Sequence, residues 1–188
     1  VYVVSGLGGL AAPLFVTVFG WGCFHSSSTP SQRYVRAGFL LLSQLVINLT
    51  APHLFDAFTP GVLTLFAVLI LIQPLWVSPF KNYHERKNLI LWTSIFATLV
   101  IVYFASAIQG SKEWDNRIEV ATIIKWFSHL LLTGTYPLFP WFFFALFGAT
   151  ISTQSVKDGK SLEMSTLVST GLVLGLLYCL TTLVYAHL

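Results

Sequence analysis

The chain has 188 residues; 55% are hydrophobic, only 9% are charged, and the net charge is +3. A water-soluble domain is usually about a quarter charged, so this composition excludes an ordinary soluble fold and makes lipid the solvent against which each polar residue is judged. With a mean hydropathy of +0.77, it predicts an all-α fold: a polytopic transmembrane helix bundle of about six spans with one amphipathic interfacial helix, residues 1–188 forming a single integral membrane domain.

The first predicted span is about Val1 to Phe24, where Gly6, Gly8, Gly9, Gly20 and Gly22 suit close helix packing. The second, about Val35 to Thr50, ends in the polar residues Gln44, Asn48 and Thr50. The third, about Gly61 to Val77, follows the helix-start pair Thr59-Pro60. The fourth is about Asn88 to Ile108. Trp114 to Thr133 reads as the interfacial helix, with Ile118, Ala121, Thr122, Lys125, Trp126 and His129 along it. The fifth span is about Tyr136 to Ser152, with Pro137 and Pro140 in its first turn, where proline costs least. The sixth is about Leu162 to Leu188.

Loop charge sets the expected orientation. The loops after spans one, three and five hold Arg33, Arg36, Lys81, Arg86, Lys87, Lys157 and Lys160, seven of the ten basic residues. The opposite loops hold only Lys112, Arg117 and Lys125. By the positive-inside rule, loops 25–36, 80–88 and 153–161 are cytoplasmic and both ends of the sequence lie on the other side. A first span beginning at residue 1 with its start outside predicts a further span upstream. The tryptophans, Trp21, Trp76, Trp92, Trp114, Trp126 and Trp141, mostly fall near span ends, as interfacial anchors. Cys23 and Cys179 lie in apolar runs without a partner at metal-ligand spacing and read as buried structural thiols.

The richest chemistry lies on the non-cytoplasmic side. The stretch Asn48 to Pro60, NLTAPHLFDAFTP, brings Asn48, His53 and Asp56 close in sequence. On a helical turn, His53 and Asp56 share a face and form an oriented imidazole suited to a general base. In a tight loop, Asp56 instead caps a turn before the third span. His129 and Tyr136, with Thr133 and Thr135, lie at the mouth of the fifth span and either line a cleft with His53 and Asp56 or sit as ordinary interfacial side chains. Gln44 and Asn48, four apart, face one side of the second span, as glue between helices or as ligand contacts. Asn48-Leu49-Thr50 fits the N-glycosylation pattern but abuts the predicted bilayer.

His25 and His84 read as solvated groups in basic loops, and His187 as an uninformative terminal residue. No ionisable residue falls clearly at the centre of a span, which argues against a proton pump or voltage sensor. Walker and dinucleotide glycine patterns are absent. No metal site is expected, and nucleic acid is not an expected partner. Membrane lipid and other membrane subunits are, and a bound lipid or pigment fits the aromatic composition.

Three stretches carry a family resemblance: GLGGLAAPLFVTVFGWG (Gly6 to Gly22), FDAFTPGVLTLFAVLILI (Phe55 to Ile72) and GTYPLFPWFFFALFGATI (Gly134 to Ile151). They resemble helices of the DUF1624 family, the group of membrane acyltransferases that contains the heparan-alpha-glucosaminide N-acetyltransferase catalytic domain, and their spacing is similar. The resemblance implies a multi-helix protein that passes an acyl group from a cytoplasmic coenzyme A thioester, acetyl-CoA or another acyl-CoA, to an acceptor across the membrane. Arg33, Arg36, Arg86 and Lys87 would then attract the coenzyme's phosphates, and His53, Asp56 and Tyr136 would line the acceptor side. The family's acidic and arginine signature and its catalytic histidine are expected upstream of residue 1; no residue of this sequence matches that histidine. The alternative is a reduced, non-catalytic member serving as an integral subunit of a larger membrane assembly, photosynthetic or respiratory.

Overall fold

The computed structural model describes residues 2–83, 86–105 and 113–152, with side chains from Ala11 onward except at 87, 88, 95, 102 and 105. The predicted sixth span, loop 153–161, Lys112, His84, Cys179 and His187 lie outside the described residues. Within them all regular structure is helical: α1 (Tyr2–His25), α2 (Pro30–Thr50), α3 (Val62–Leu71), α4 (Gln73–Asn82), α5 (Lys87–Ala105), α6 (Trp114–Ile118), α7 (Ile123–Ser128), a π-helical turn (His129–Thr133) and α8 (Leu138–Ser152). The all-α expectation therefore holds. No single helix among the described residues is long and apolar enough to cross a membrane; two bent pairs, α3 with α4 and Ile123–Thr133 with α8, reach that length and apolarity together.

α2 starts five residues earlier than the apolar run suggests, so Arg33 and Arg36 stand on its first turns and not in a loop. The cause is a capping box. The Thr29 hydroxyl accepts from the Gln32 N–H at 3.4 Å, and the Gln32 side chain accepts from the Thr29 N–H at 3.0 Å. Pro30 stands at the first helical position, where its missing N–H costs nothing.

The predicted third span is broken, the axis turning by 58° between α3 and α4. Pro74 has no N–H for the carbonyl four residues back and its ring crowds that turn. Buried groups repair the break. The Trp76 indole N–H donates to the Leu69 carbonyl at 3.0 Å. The Gln73 side-chain amide donates to the Cys23 carbonyl at 2.6 Å, tying the break to the end of α1. Trp76 is thus buried within the bundle and is not an interfacial anchor.

The predicted interfacial helix 114–133 is also broken. α6 ends at Ile118, residues 119–122 are non-helical with extended backbone at Glu119 and Thr122, and Thr122 caps α7 by accepting from the Lys125 N–H at 3.2 Å. The fifth span departs from helical geometry at Phe139, because the residue before Pro140 is pushed toward extended backbone.

The core gathers Val16 and Cys23 of α1, Leu65 and Leu69 of α3, Trp76, Val77 and Phe80 of α4, Leu91 of α5, and Ala145, Leu146 and Ala149 of α8. Phe19 of α1 stacks on Phe66 of α3 with ring centroids 4.3 Å apart. α1 and α8 pack with backbones touching. A Cβ added at Gly20 would overlap the Ala145 carbonyl, and one added at Gly148 would overlap the Thr17 carbonyl. Gly22 faces open space, so of these two glycines only Gly20 performs the close-packing role expected of the first span.

Candidate functional site

The polar residues of the 48–60 and 113–136 segments converge, but mainly on backbone. Asn48, 1% exposed, sits one helical turn beyond Gln44 on α2. Its amide NH2 donates to the carbonyls of Ala57 at 3.0 Å and Thr59 at 2.9 Å. Its side-chain oxygen accepts from the Gln44 amide at 2.9 Å, and the Gln44 oxygen accepts from the Leu63 N–H at 3.2 Å. Together the two residues stitch the C-terminal half of α2 to the entry of α3. The Asn48 amide nitrogen, the atom glycosylation needs, is buried and fully engaged.

Asp56 and His129 meet across a single peptide unit. The Asp56 carboxylate accepts from the Val120 N–H at 2.8 Å. The His129 Nε2–H donates to the Glu119 carbonyl at 3.0 Å, which fixes Nε2 as protonated because a carbonyl can only accept. The C=O of Glu119 and the N–H of Val120 belong to one peptide, so this peptide is gripped from both sides. His129 Nδ1 lies 2.7 Å from the Thr133 hydroxyl, and the ring is 3% exposed. Lys125 pairs with Glu119 at 2.9 Å. The Thr59 hydroxyl donates to the Ile118 carbonyl. The Trp114 indole donates to the Leu54 carbonyl at 3.3 Å and its ring lies 5.9 Å from that of Phe55.

His53 does not join this network. It is exposed in a turn, the Asp56 carboxylate accepts from Val120, and no hydrogen bond joins the His53 and Asp56 side chains. A catalytic dyad needs an imidazole hydrogen-bonded to its orienting carboxylate, and that arrangement is missing here. His53→Ala is accordingly expected to change stability by less than about 0.5 kcal/mol, read from the thermal unfolding midpoint in detergent; a larger loss would reveal a contact that the described residues do not provide. Tyr136 packs against Trp141 with centroids 5.0 Å apart and borders the core.

The basic candidates occupy helix ends. Arg33 is half-buried and Arg36 exposed on the first turns of α2; Arg86 is exposed just before α5, which Lys87 opens. Nearby, Lys81 stands 5.6 Å above the Phe24 ring, and His25 rests against Trp21 and Phe24, so this histidine is aromatic-packed and not merely solvated.

An open groove of about 480 Å³ lies beside the two-sided grip, walled by Phe58, Val120, Ala121, Thr122, Ile123 and Trp126. Its walls are apolar apart from Thr122. Sequence reading missed it because its walls come from two segments sixty residues apart. Among the described residues no three His, Cys, Asp or Glu side chains come together to hold a metal ion. No family model, no curated protein and no solved structure matches the chain.

Proposed function

We propose that the chain is a multi-pass integral membrane protein built on an acyltransferase-like scaffold, with loops 25–36, 80–88 and 153–161 on the cytoplasmic side. The observation that carries the membrane reading is the run of large apolar side chains turned outward: Leu14, Phe15 and Val18 on α1, Phe39, Leu42 and Val46 on α2, and Phe96, Leu99 and Tyr103 on α5. Water penalises such faces, whereas lipid or an apolar partner accepts them. Inside, no described buried side-chain nitrogen or oxygen lacks a partner, as a low-dielectric surround requires.

In the acyltransferase reading, the protein passes an acyl group from a coenzyme A thioester across the membrane, its general base coming from residues other than those described. Supporting it, the three stretches that resemble the acyltransferase family correspond to α1, to α3 with its entry loop, and to α8, and these elements supply most of the core. The cations Arg33, Arg36, Arg86 and Lys87 serve the coenzyme's phosphates, with lipid as the surrounding partner. A second reading, a non-catalytic subunit of a larger membrane complex, is favoured by the engagement of Asn48, Asp56 and His129 with backbone.

The test is thiol release from acetyl-CoA by the purified full protein in proteoliposomes, with copurifying chains identified by mass. Saturable release supports the enzyme. No release together with stoichiometric partner chains leaves the subunit. Extraction of the protein from membranes by alkaline carbonate would sink both.

A further inference from the structure

We propose that Trp114–Ser128 is a hinged lid over the groove beside Phe58, held shut by polar pins and turning at the π-helical turn that follows it. The proposal holds for the acyltransferase and the subunit alike, and it places Ile123–Ser128 at the membrane surface and not within a span with α8. No residue from Trp114 to Ser128 is buried, whereas His129 and Leu130, immediately after, are. The segment is therefore fastened by a few exposed or part-buried hydrogen bonds and not by a share of the core, the property of regions that open locally.

Its fastenings are few and aimed at backbone. Trp114 reaches the Leu54 carbonyl, Thr59 the Ile118 carbonyl, Asp56 the Val120 N–H and His129 the Glu119 carbonyl. The first three cross to the 54–59 loop, the fourth to the hinge itself. The hinge has its own signature. The π-helical turn His129–Thr133 is an element found chiefly as a local bulge at functional places. Gly134 closes it by donating its N–H to the His129 carbonyl at 3.0 Å, at a spot where a Cβ would press on that same carbonyl. Val120 to Ile123 and Trp126 form the lid's wall of the groove, so lid motion changes the groove's width against Phe58, whose neighbours Ala57 and Thr59 are held by Asn48.

Hydrogen–deuterium exchange of the full protein in lipid nanodiscs tests this. In the wild type, peptides within 114–128 should exchange with one common rate, faster than those covering Gln44–Thr50 and α3. Asp56→Ala should speed exchange of the lid peptides about fivefold, the factor for one net hydrogen bond, and leave α2, α3 and α8 unchanged. Asp56→Asn, which keeps an acceptor oxygen, should give a smaller rise. A lid as protected as α3 in the wild type, no change in Asp56→Ala, a rise spreading into α3 and α8, or failure of Asp56→Ala to fold would each overturn the proposal, since lid opening is local.

Discussion

Gly148→Ala is expected to destabilise the protein by about 3 kcal/mol, at the upper end of the overpacking range, and Gly148→Leu to abolish folding. The added Cβ would collide with the Thr17 carbonyl, and the atoms in the way are backbone, which cannot escape by changing rotamer. α1 and α8 would have to separate, and the buried layer of Val16, Ala145 and Ala149 would open with them. Where two helix backbones approach this closely, separating them forfeits van der Waals contact along the whole crossing. Gly22→Ala is the matched control. It adds the same methyl group to α1 where nothing lies within 4 Å, and should be neutral or gain up to about 1 kcal/mol from helix propensity. Thermal unfolding midpoints and gel-filtration profiles in detergent check the pair. Equal stability of Gly148→Ala and Gly22→Ala would refute the crossing.

Asn48→Leu is expected to cost about 3–5 kcal/mol, although the side chain is nearly matched in size. The substitution strands the carbonyls of Ala57 and Thr59 and the Gln44 amide in a buried setting, and each stranded group costs about 1–3 kcal/mol. Asn48→Asp should be at least as damaging, since a carboxylate would put acceptor oxygens against two carbonyl oxygens. Gln44→Leu leaves the Asn48 bonds to Ala57 and Thr59 intact and should cost less. Denaturation midpoints of the three variants give the order. An Asn48→Leu protein as stable as the wild type would mean that Asn48 does not hold the entry of α3.

Much of this architecture is legible in the sequence. The apolar runs locate α1, α2, α5 and α8, because a sustained apolar run of helical length is the strongest helix signal that composition carries. The Thr29-Pro30-Ser31-Gln32 signal also carried the true start of α2, and it is missed when the boundary is drawn from hydropathy alone. The Pro74 break was likewise visible as a proline within an apolar run. Polar partners were not legible. His53 and Asp56 are neighbours in sequence, yet Asp56 bonds to Val120, sixty-four residues away. Trp76 resembles other aromatic residues near span ends until its indole is seen to cap a carbonyl freed by the break in its own span.

The sequence by itself determined that the described residues are helical, that they are rich in apolar side chains and that basic residues gather between the apolar runs, because composition and periodicity act locally and additively. Only the tertiary structure decided which glycine is indispensable and what the polar residues do. Gly20 and Gly22 are alike in sequence, and the neighbouring helix alone distinguishes them. Asn48 is committed to backbone because the buried entry of α3 must find partners for its peptide groups, while Asp56 and His129 hold the Glu119–Val120 peptide from two sides. Which side chain supplies them depends on segments brought together by folding.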